Sequence, residues 1–515
     1  MKAFIAIIVA LLLGIGGLVF IYMDKGGGEG GEGSSLTVYC AAGLKKPVTA
    51  IADQYKEEFG TEVNLQFGGT GTLLGQLRVA KRGDLFIAAD ELSVAKTCDS
   101  KIGQEVIPLV RQHAVIAVAK GNPKGITGIN DLFRDDLKVA VANPEAASIG
   151  TATKVAMGDR WEEFAKNVKV MKMTVTELAA DLTVGSVDAV VIWNSTVPQF
   201  EGIEAVEAPE LSAQVDTVSA VVLTATEQAA FALKFARYLA APEKGGAIFT
   251  EKEFDAIEGD SWEERPELIL YSGGVNRPAV EETLAEFAKR EGVEVTTVFN
   301  GCGILCASMK AMKDTTNPKF PDAYYACDLC FVPPVAKEFP MSTILTETEI
   351  GIAVQKGNPK GIKSLADLAR PGLRLGLCNA EQSTLGYMTD GMLRSSGLHD
   401  SIRKNVKVEQ PTADFLITQM LVGKLDAAIV YRVNYQLQEE HLDLVPIRHE
   451  GARAVQPFSV RDDSSRKQLA GRLLECFKRN RERFTGAGFT WRGDQAPMKS
   501  SEIEVPPWLL GSGGK

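Results

Sequence analysis

Four of the eight cysteines in this 515-residue chain lie in one short stretch, between Cys302 and Cys330. Cys302 and Cys306 have the spacing C-x-x-x-C, Cys327 and Cys330 have the spacing C-x-x-C, and Cys378 follows in a strand-like run. Thiols at such spacings form disulfides in oxidising compartments, hold soft metals such as Cu(I) or Zn or iron–sulfur clusters, or contact a ligand directly. The spacing alone leaves these interpretations open. No C-x-x-C-H run is present, which argues against covalent haem attachment.

The composition is typical of a large globular protein without a nucleic-acid surface. The proportions of 45% hydrophobic and 24% charged residues are those of a globular protein. The length of 515 residues is enough for roughly two to four domains. Its formal net charge of -10 and pI near 5.3 argue against the basic surface that nucleic acids require. Only four histidines are present, which argues against a histidine-rich metal centre.

The N-terminal segment is strongly apolar. Residues 3–23 form an uninterrupted apolar run, which at about 1.5 Å per residue is long enough to cross a bilayer core of roughly 30 Å. A cleavable signal peptide usually has a shorter apolar region of about 7–15 residues. We therefore interpret residues 1–25 as an uncleaved signal anchor, with a cleaved signal peptide as the alternative. Residues 26–35 read as a flexible Gly/Glu/Ser linker, and the rest of the chain is expected to be extracytoplasmic, in the periplasm.

The rest of the chain contains two copies of one sequence pattern. "LTVYCAAGLKKPV" aligns with "LILYSGGVNRPAV", and "KGNPKGI" occurs unchanged at 120–126 and 356–362. Many further colinear matches connect the two halves, which predicts a duplicated domain. The predicted boundaries are 36–262 for copy 1 and 263–492 for copy 2, and residues 493–515 form a tail with a short apolar hook.

Each copy alternates strand-like and helix-like segments. "LTVYCAA" is a strand-like run, and "VTAIADQYKEEFG" has apolar residues at helical spacing and ends at Gly60. "EVNLQF" then alternates as a strand does, and a glycine turn leads into a helix that begins near Thr70. This alternation predicts an α/β fold with a parallel sheet between helices. In open sheets of this kind, ligands bind at the carboxyl ends of the strands.

At these strand ends both copies resemble the periplasmic molybdate- and tungstate-binding proteins of ABC transporters, within the type II extracytoplasmic solute-binding superfamily. The motifs of copy 1 are "YCAAGL", "FGGTGTL", "DLFIAAD", "NPEAASIG" and "VIW". Those of copy 2 are "YSGGVN", "FNGCGIL", "DAYYACD", "NAEQSTLG" and "IVY". The resemblance implies two tandem two-lobed Venus-flytrap domains, each closing on a small oxyanion, with a transporter permease as partner.

The resemblance also implies which residues contact the solute. In such a fold, backbone N–H groups at helix N-termini and hydroxyl groups hold the anion, without a positive side chain. The residues implied for copy 1 are Ala42, Gly43, Gly69, Thr70, Asp90, Asn143, Ser148 and Trp193. The residues implied for copy 2 are Ser272, Gly274, Gly301, Cys302, Cys327, Asn379, Thr384 and Tyr431.

Copy 2 departs from the family pattern more than copy 1 does. At the two positions where the family has serine, copy 1 has Gly43 and Thr70, and copy 2 has Val275 and Cys302. On the implied fold the five cysteines named above all face the mouth of copy 2. We therefore expect either a disulfide, with Cys302–Cys327 as the favoured pair, or a cysteine-ligated metal or iron–sulfur site, or buried free thiols, or direct contact between a thiol and a ligand.

Other residues leave two interpretations open. Asp90 and Asp328 end the third strand of each copy, and each either contacts the cleft or caps the next helix. Asn143 and Asn379 are expected to shape the turn between the lobes.

No nucleophile–base pair, Walker loop or dinucleotide fingerprint is present, so we predict a binding protein without catalytic residues rather than an enzyme. The alternatives are a metalloprotein or redox module in copy 2, or an interaction scaffold that binds no solute.

Overall fold

The structure, a computed structural model, describes residues 35–312 and 314–510. Contacts between Cα atoms group the chain into two compact units, and each unit combines two separate segments. The first unit lies within Met1–Ile87 and Ala114–Ala213, and the second within Ala88–His113 and Gln214–Lys515. All of copy 2 therefore lies in the second unit, together with part of copy 1.

The predicted membrane anchor lies outside the described residues, at positions 1–25. Almost all of the predicted linker at 26–35 lies outside them too. Across the described part of the chain, we find no helix with both the length and the apolar character needed to cross a bilayer.

The first copy alternates strands and helices as predicted. Its strands are β1 (Ser35–Ala41), β2 (Glu62–Gly68), β3 (Leu85–Ala88), β4 (Gly103–Ala119), β5 (Val139–Ala142), β6 (Val168–Lys172), β7 (Ala189–Trp193), β8 (Ile203–Val206), β9 (Val215–Leu223) and β10 (Asp255–Ala256). Its helices are α1 (Lys45–Phe59), α2 (Thr70–Ala80), α3 (Glu91–Asp99), α4 (Ser148–Met157), α5 (Trp161–Asn167), α6 (Val175–Thr183), α7 (Pro209–Ser212), α8 (Ala229–Ala240) and α9 (Ala247–Glu251).

The second copy repeats this order of elements and adds a tail. Its strands are β11 (Glu267–Gly273), β12 (Glu294–Asn300), β13 (Ala323–Tyr325), β14 (Met341–Gln355), β15 (Leu375–Cys378), β16 (Val406–Gln410), β17 (Ala427–Tyr431), β18 (Leu442–Pro446), β19 (Arg453–Val460), β20 (Thr490–Trp491) and β21 (Met498–Lys499). Its helices are α10 (Arg277–Glu291), α11 (Cys302–Ala311), α12 (Thr384–Ser395), α13 (His399–Arg403), α14 (Ala413–Leu421), α15 (Arg432–Gln436), α16 (Lys467–Arg479), α17 (Arg481–Gly486) and α18 (Pro507–Leu510).

Helix α1 shows why these segments fold as they do. Val48, Ile51 and Tyr55 are buried on one face, at the three- and four-residue spacing of a helix that packs on a sheet. The helix ends at Gly60, whose φ of 69° lies in the left-handed region that glycine adopts without strain. Helix α10 of copy 2 ends in the same way at Gly292.

The sheets are mixed rather than parallel, which differs from the prediction. Strand β1 pairs in parallel with β2 and β3, and β11 pairs in parallel with β12 and β13. However, the long strands β4 and β14 run antiparallel to their neighbours β7, β9, β17 and β19. The alternation of helices and strands predicts parallel pairs, because parallel strands are joined by helical crossovers. It does not reveal the direction of a long strand that continues from one half of a copy into the other without such a crossover.

In copy 2 the strand β14 connects two halves of the fold. Its first part pairs with β19 and its second part with β17 and β18. Strand β19 continues to β13 and β11, whereas β17 continues to β15 and β16. Tyr324, Phe339 and Phe458 are among the large side chains that are fully buried around these strands. The carboxyl ends of β11, β12, β16 and β17 lie at the same region, where the candidate site is found.

Candidate functional site

Three helices of copy 2 begin at one cavity. Gly301, Ser383 and Thr412 are the residues that precede α11, α12 and α14, and all three line a small cleft. None of these three helix starts has a side-chain cap. Backbone N–H groups of the first helical turn lack partners within the helix, so three sets of donors converge on this space.

Tyr431 and Asn434, two residues of the cavity wall, each carry a buried polar atom without a hydrogen-bond partner among the described residues. Both side chains line it, and each residue is only 4% exposed. The hydroxyl of Tyr431 and Oδ1 of Asn434 have no hydrogen-bond partner in the described part of the chain. Buried polar atoms without partners carry a desolvation cost, so this cavity has unmet hydrogen-bonding capacity that a ligand would meet.

Asp414 is the one carboxylate among the residues that line the cavity. It is the second residue of α14, and its Oδ1 accepts a 2.7 Å hydrogen bond from Nδ2 of Asn434. Burial raises the pKa of Asp414, while the hydrogen bond from Asn434 and the positive charge of Arg277 oppose that shift. The cavity wall therefore contains one acidic side chain among groups that mostly donate hydrogen bonds.

Glycines allow the backbone of α11 to approach the opposite wall. A Cβ atom on Gly301 would stand 2.0 Å from the carbonyl oxygen of Gln382, and one on Gly303 would stand 2.3 Å from that of Glu381. No side chain larger than hydrogen fits at such distances, so the close approach requires glycine at both positions.

Cys302 and Cys327 form a buried thiol pair at this cavity, and Cys327 is part of its wall. Their Sγ atoms are 2.9 Å apart, and the amide of Cys327 donates a 3.0 Å hydrogen bond to Sγ of Cys302. Burial opposes ionisation of Cys302, but hydrogen bonds from the Cys327 thiol, the Tyr324 hydroxyl and the Cys327 amide lower its pKa. The same interaction with Cys302, together with burial, raises the pKa of Cys327, so the pair is asymmetric, with Cys302 as the more acidic thiol.

The other three predicted cysteines do not join this pair in one ligand set. Cys306 lies one turn along α11, 3.7 Å from the hydroxyl of Tyr324, and burial raises its pKa to about 12. Cys378 ends β15, and burial raises its pKa to about 12 as well. Burial also raises the pKa of Cys330.

The metal interpretation is therefore not supported. Among residues 35–312 and 314–510, no three or more Cys, His, Asp or Glu side chains come together as a possible metal site. Cys302 and Cys306 both approach the hydroxyl of Tyr324, but Sγ of Cys302 bonds to Cys327, whereas Sγ of Cys306 bonds to the carbonyl oxygen of Phe331. Every cysteine is a free thiol, so the structure shows the proximity that the predicted Cys302–Cys327 disulfide would need, without the bond.

In copy 1 the corresponding helix starts also meet. Thr70 and Ser148 are the first residues of α2 and α4, and their buried hydroxyl oxygens are 3.4 Å apart. A Cβ atom on Gly69 would stand 2.4 Å from the carbonyl oxygens of both Ala146 and Met173, which precede α4 and α6. The structure thus brings three of the predicted residues of copy 1 together.

The remaining predicted residues of the first unit lie nearby or shape the fold. A Cβ atom on Gly43 would stand 3.1 Å from Val175 and 3.5 Å from Thr196, at the start of α6 and after β7. Ala42 is 8% exposed, and Trp193, the last residue of β7, is 2% exposed. Trp193 occupies the position that Tyr431 holds in copy 2, so the two copies differ in the polar group offered there.

Asn143 and Asn379 shape equivalent turns. Oδ1 of Asn143 accepts a hydrogen bond from the amide of Glu145 at 2.9 Å, and Oδ1 of Asn379 accepts one from the amide of Glu381 at 2.9 Å. Such side-chain bonds to the backbone two residues on fix a turn, which is the structural role predicted for these asparagines.

Asp90 and Asp328, both in the second unit, cap the elements that follow them. Asp90 accepts a 2.7 Å hydrogen bond from the amide of Ser93, and Asp328 accepts one of 2.9 Å from the amide of Cys330. These contacts agree with the capping interpretation. Asp328 also accepts from the amide of Val455 at 2.8 Å, which connects it to β19.

The structure places half of the predicted set of copy 2 on the cavity wall. Gly274, Gly301, Cys327 and Tyr431 line the cavity. Ser272 is fully buried and bonds locally to Asn276, so it lies behind the wall. Lining residues that the sequence analysis did not select are Val275, Asn300, Ser383, Pro411, Thr412, Ala413, Asp414 and Asn434. The signal that could have found several of them is the repeated pattern of a strand end followed by a helix start.

Comparison with known proteins gives matches to both copies. A family model described as "Bacterial extracellular solute-binding protein" matches residues 36–254 and, separately, residues 268–490. The molybdate-binding protein ModA of Mycobacterium bovis is 30% identical over 209 residues, which cover 39% of this chain and 77% of that protein. The two separate family matches confirm the predicted tandem duplication.

Two solved structures also match part of the chain. The periplasmic molybdate-binding protein of Azotobacter vinelandii matches with a TM-score of 0.36 and 18% identity, over 42% of this chain and 98% of its own. The sulfate-binding protein SubI of Mycobacterium tuberculosis matches with a TM-score of 0.39 and 16% identity, over 52% of this chain and 94% of its own.

Proposed function

This chain belongs to the family of bacterial extracellular solute-binding proteins, with one family domain at 36–254 and another at 268–490, and from this premise we propose that both copies bind a small oxyanion at the helix starts described above. The observation that carries the proposal is the convergence of three uncapped helix N-termini on one cavity in copy 2. Helix N-termini favour anions through their free N–H groups and their dipoles.

The chemistry of the cavity wall supports an anion held by the backbone. Among the described residues that line it, none is a lysine or an arginine, and the protein as a whole carries a formal net charge of -10. An anion in this cavity would therefore be held by backbone N–H groups and hydroxyls rather than by a positive side chain. The hydroxyl of Tyr431 adds one more donor. In copy 1 the hydroxyls of Thr70 and Ser148 meet at two helix starts and would serve the same purpose.

The cellular setting is a further part of the proposal. The relative from M. bovis is a molybdate-binding protein, and the apolar run at residues 3–23 would hold this chain at the membrane. We therefore infer that the protein captures an oxyanion outside the cytoplasm and delivers it to an ABC-type permease. Binding and release of the solute need no covalent chemistry, so we infer a binding protein rather than an enzyme.

Calorimetric titration of the full chain with molybdate, tungstate, sulfate and phosphate tests the proposal. We expect at least one of these oxyanions to bind and to raise the melting temperature, because a ligand at 100 times its Kd adds about 2.7 kcal/mol of stability. Gly69→Ala and Gly301→Ala place a methyl group against carbonyl oxygens in copy 1 and copy 2, so each should remove binding at one copy.

Two matched glycine variants serve as controls. Gly75 in α2 and Gly471 in α16 have open space where a Cβ would stand, so Gly75→Ala and Gly471→Ala should leave binding unchanged. Failure of every oxyanion to bind or to stabilise the protein would contradict the proposal and would favour a scaffold role. Retention of full binding stoichiometry in both Gly69→Ala and Gly301→Ala would place the solute elsewhere.

A further inference from the structure

One carboxylate distinguishes the cavity of copy 2 from the equivalent place in copy 1. Asp414 lines the cavity, whereas Thr176 holds the same position of the repeat in copy 1. We propose that copy 2 selects a tetrahedral oxyanion that retains a proton, such as phosphate or arsenate, over fully ionised oxyanions such as sulfate and molybdate. This inference rests on the proposed function and names the ligand class of copy 2.

The argument starts from the balance of donors and acceptors. The helix N-termini at Gly301, Ser383 and Thr412 and the hydroxyl of Tyr431 all offer hydrogens to a ligand. An ionised carboxylate only accepts hydrogen bonds. A fully ionised oxyanion also only accepts, so beside Asp414 it would bring two like charges together where water screens them poorly. An oxyanion with one hydroxyl group donates to the carboxylate and accepts from the other groups.

Asn434 supplies a second acceptor and shows how the carboxylate is held. Its Nδ2 donates to Oδ1 of Asp414 at 2.7 Å. Because an ionised carboxylate can only accept hydrogen bonds, the amide nitrogen of Asn434 must face Asp414. The amide oxygen of Asn434 therefore points away from the carboxylate. That oxygen is buried and has no hydrogen-bond partner within the described segments of the chain. The cavity thus pairs many donors with two neighbouring acceptors, a pattern that suits a ligand with several acceptor oxygens and a hydroxyl.

Asp414 does not serve as the cap of its helix. The residue that precedes α14 is Thr412, and that helix start has no side-chain cap. The carboxylate reaches across to α15, where Asn434 lies, instead of turning back to the amides of α14. In copy 1, Thr196 occupies the position of Asn434, and its buried hydroxyl likewise has no partner among residues 35–312 and 314–510. The hydrogen-bonded pair of Asp414 and Asn434 is therefore a feature that copy 2 has in addition to the shared helix starts.

Titration of the full chain in a Gly69→Ala background, which removes the contribution of copy 1, tests the inference. We expect phosphate to bind copy 2 at least about tenfold more tightly than sulfate or molybdate, the size of one hydrogen bond to a charged group. Asp414→Asn replaces the acceptor with a donor of the same shape. It should weaken phosphate binding and strengthen sulfate binding, so that their affinity ratio falls at least about tenfold.

The reciprocal substitution gives an independent test. Thr176→Asp in a Gly301→Ala background places a carboxylate at the equivalent position in copy 1, and it should weaken sulfate and molybdate binding there by at least about tenfold. Tighter binding of sulfate or molybdate than of phosphate by unmodified copy 2 would overturn the inference, as would an unchanged affinity ratio in Asp414→Asn. Either result would leave the proposed function standing, whereas no oxyanion binding in any variant would contradict the proposed function itself.

Discussion

Buried carboxylates at equivalent turns of the two copies are stabilised to different degrees. Asp328 accepts hydrogen bonds from the amides of Cys330 and Val455. Asp90 accepts one from Ser93, and its Oδ2 is buried without a partner. Burial and the nearby charge of Asp90 raise the pKa of Asp216 to about 6. Copy 1 therefore carries two acids close together where copy 2 has one acid and the uncharged Ala454.

Asp216→Asn should stabilise the protein at neutral pH. An aspartate in the unfolded chain loses its proton near pH 4, but folded Asp216 holds it up to about pH 6. Between those values the folded state binds more protons, so stability falls as pH rises, and the loss is complete above pH 6. After allowance for solvent screening we expect a gain of about 1 kcal/mol at pH 7.5, or about 2–4 °C in Tm.

Thermal unfolding at pH 4, 5, 6 and 7.5 measures this effect. The substitution should raise Tm at pH 7.5 and change it much less at pH 4, where folded Asp216 holds its proton and the unfolded aspartate is about half protonated. Asp53→Asn, at an exposed position of α1, is the control and should shift Tm little at any pH. A Tm gain that is equal at pH 4 and pH 7.5 would show that the carboxylate charge is not its cause.

At the scale of elements, the two copies begin equivalent helices differently. Helix α6 starts with a capping box, in which the hydroxyl of Thr174 accepts from the amide of Glu177 and the Glu177 side chain accepts from the amide of Thr174. In copy 2, Thr412 precedes α14 without such a cap, and Phe415 stands where Glu177 stands in copy 1. The helix start in copy 1 thus satisfies these amides with its own side chains, whereas the equivalent start in copy 2 has no side-chain cap among the described residues.

Thr174→Ala should therefore cost more stability than Thr412→Ala. Loss of a side-chain cap costs about 1 kcal/mol, and only Thr174 makes that contact. We expect Thr174→Ala to lower Tm by about 2–4 °C and Thr412→Ala to change it by less than half as much. Thermal unfolding of the two variants without added oxyanion makes the comparison. An equal loss of Tm in both variants would mean that the side-chain hydrogen bonds of the capping box do not stabilise α6.

At the scale of the whole molecule, buried ion pairs join part of copy 1 to copy 2 within the second unit. The Glu291 carboxylate of α10 lies 2.7 Å from Arg472 of α16 and 3.5 Å from Arg237 of α8. Arg290 also pairs with the buried Glu105 of β4 at 2.6 Å. Removing one partner from such a cluster leaves an uncompensated buried charge, so these contacts couple the stability of the two segments.

The tail adds a second long-range connection, within copy 2. Strand β21 pairs with the start of β14, and α18 then packs on α12. Leu509 is 1% exposed, and its carbonyl oxygen accepts a 3.2 Å hydrogen bond from the hydroxyl of Tyr387. The ring of Trp508 lies directly on Gly451, where a Cβ would stand 2.3 Å from it. The predicted apolar hook thus lies on copy 2 itself and spans from one half of its fold to the other.

Leu509→Ala should destabilise copy 2. Truncation of a buried leucine costs about 2–4 kcal/mol through lost burial and the cavity left behind, so Tm should fall by about 4–10 °C. Glu502→Ala is the matched control, because Glu502 forms only an exposed ion pair with Lys499. Calorimetry of both variants makes the test. If Leu509→Ala unfolds like the control, the tail does not contribute to the stability of copy 2.

Much of the architecture could be predicted from the chain alone, because its signals are local. The duplication shows in aligned motifs, and the helices at Thr70 and Cys302 show in glycine turns followed by apolar residues at helical spacing. The antiparallel direction of β4 and β14 could not be predicted, because strand direction depends on partners far along the chain. The membrane anchor and the copy boundaries stay predictions.

The composition of the cavity depended on contacts between distant segments. Asp414 and Asn434 carry no sequence signal of their own, yet α14 and α15 place them beside Gly301, more than a hundred residues away in the chain. Likewise, the spacing of the cysteines allowed several pairings, and only the packing of α11 against the end of β13 puts Cys302 next to Cys327. Periodicity records which face of a segment is buried, but which side chains meet is set by how separate segments pack together.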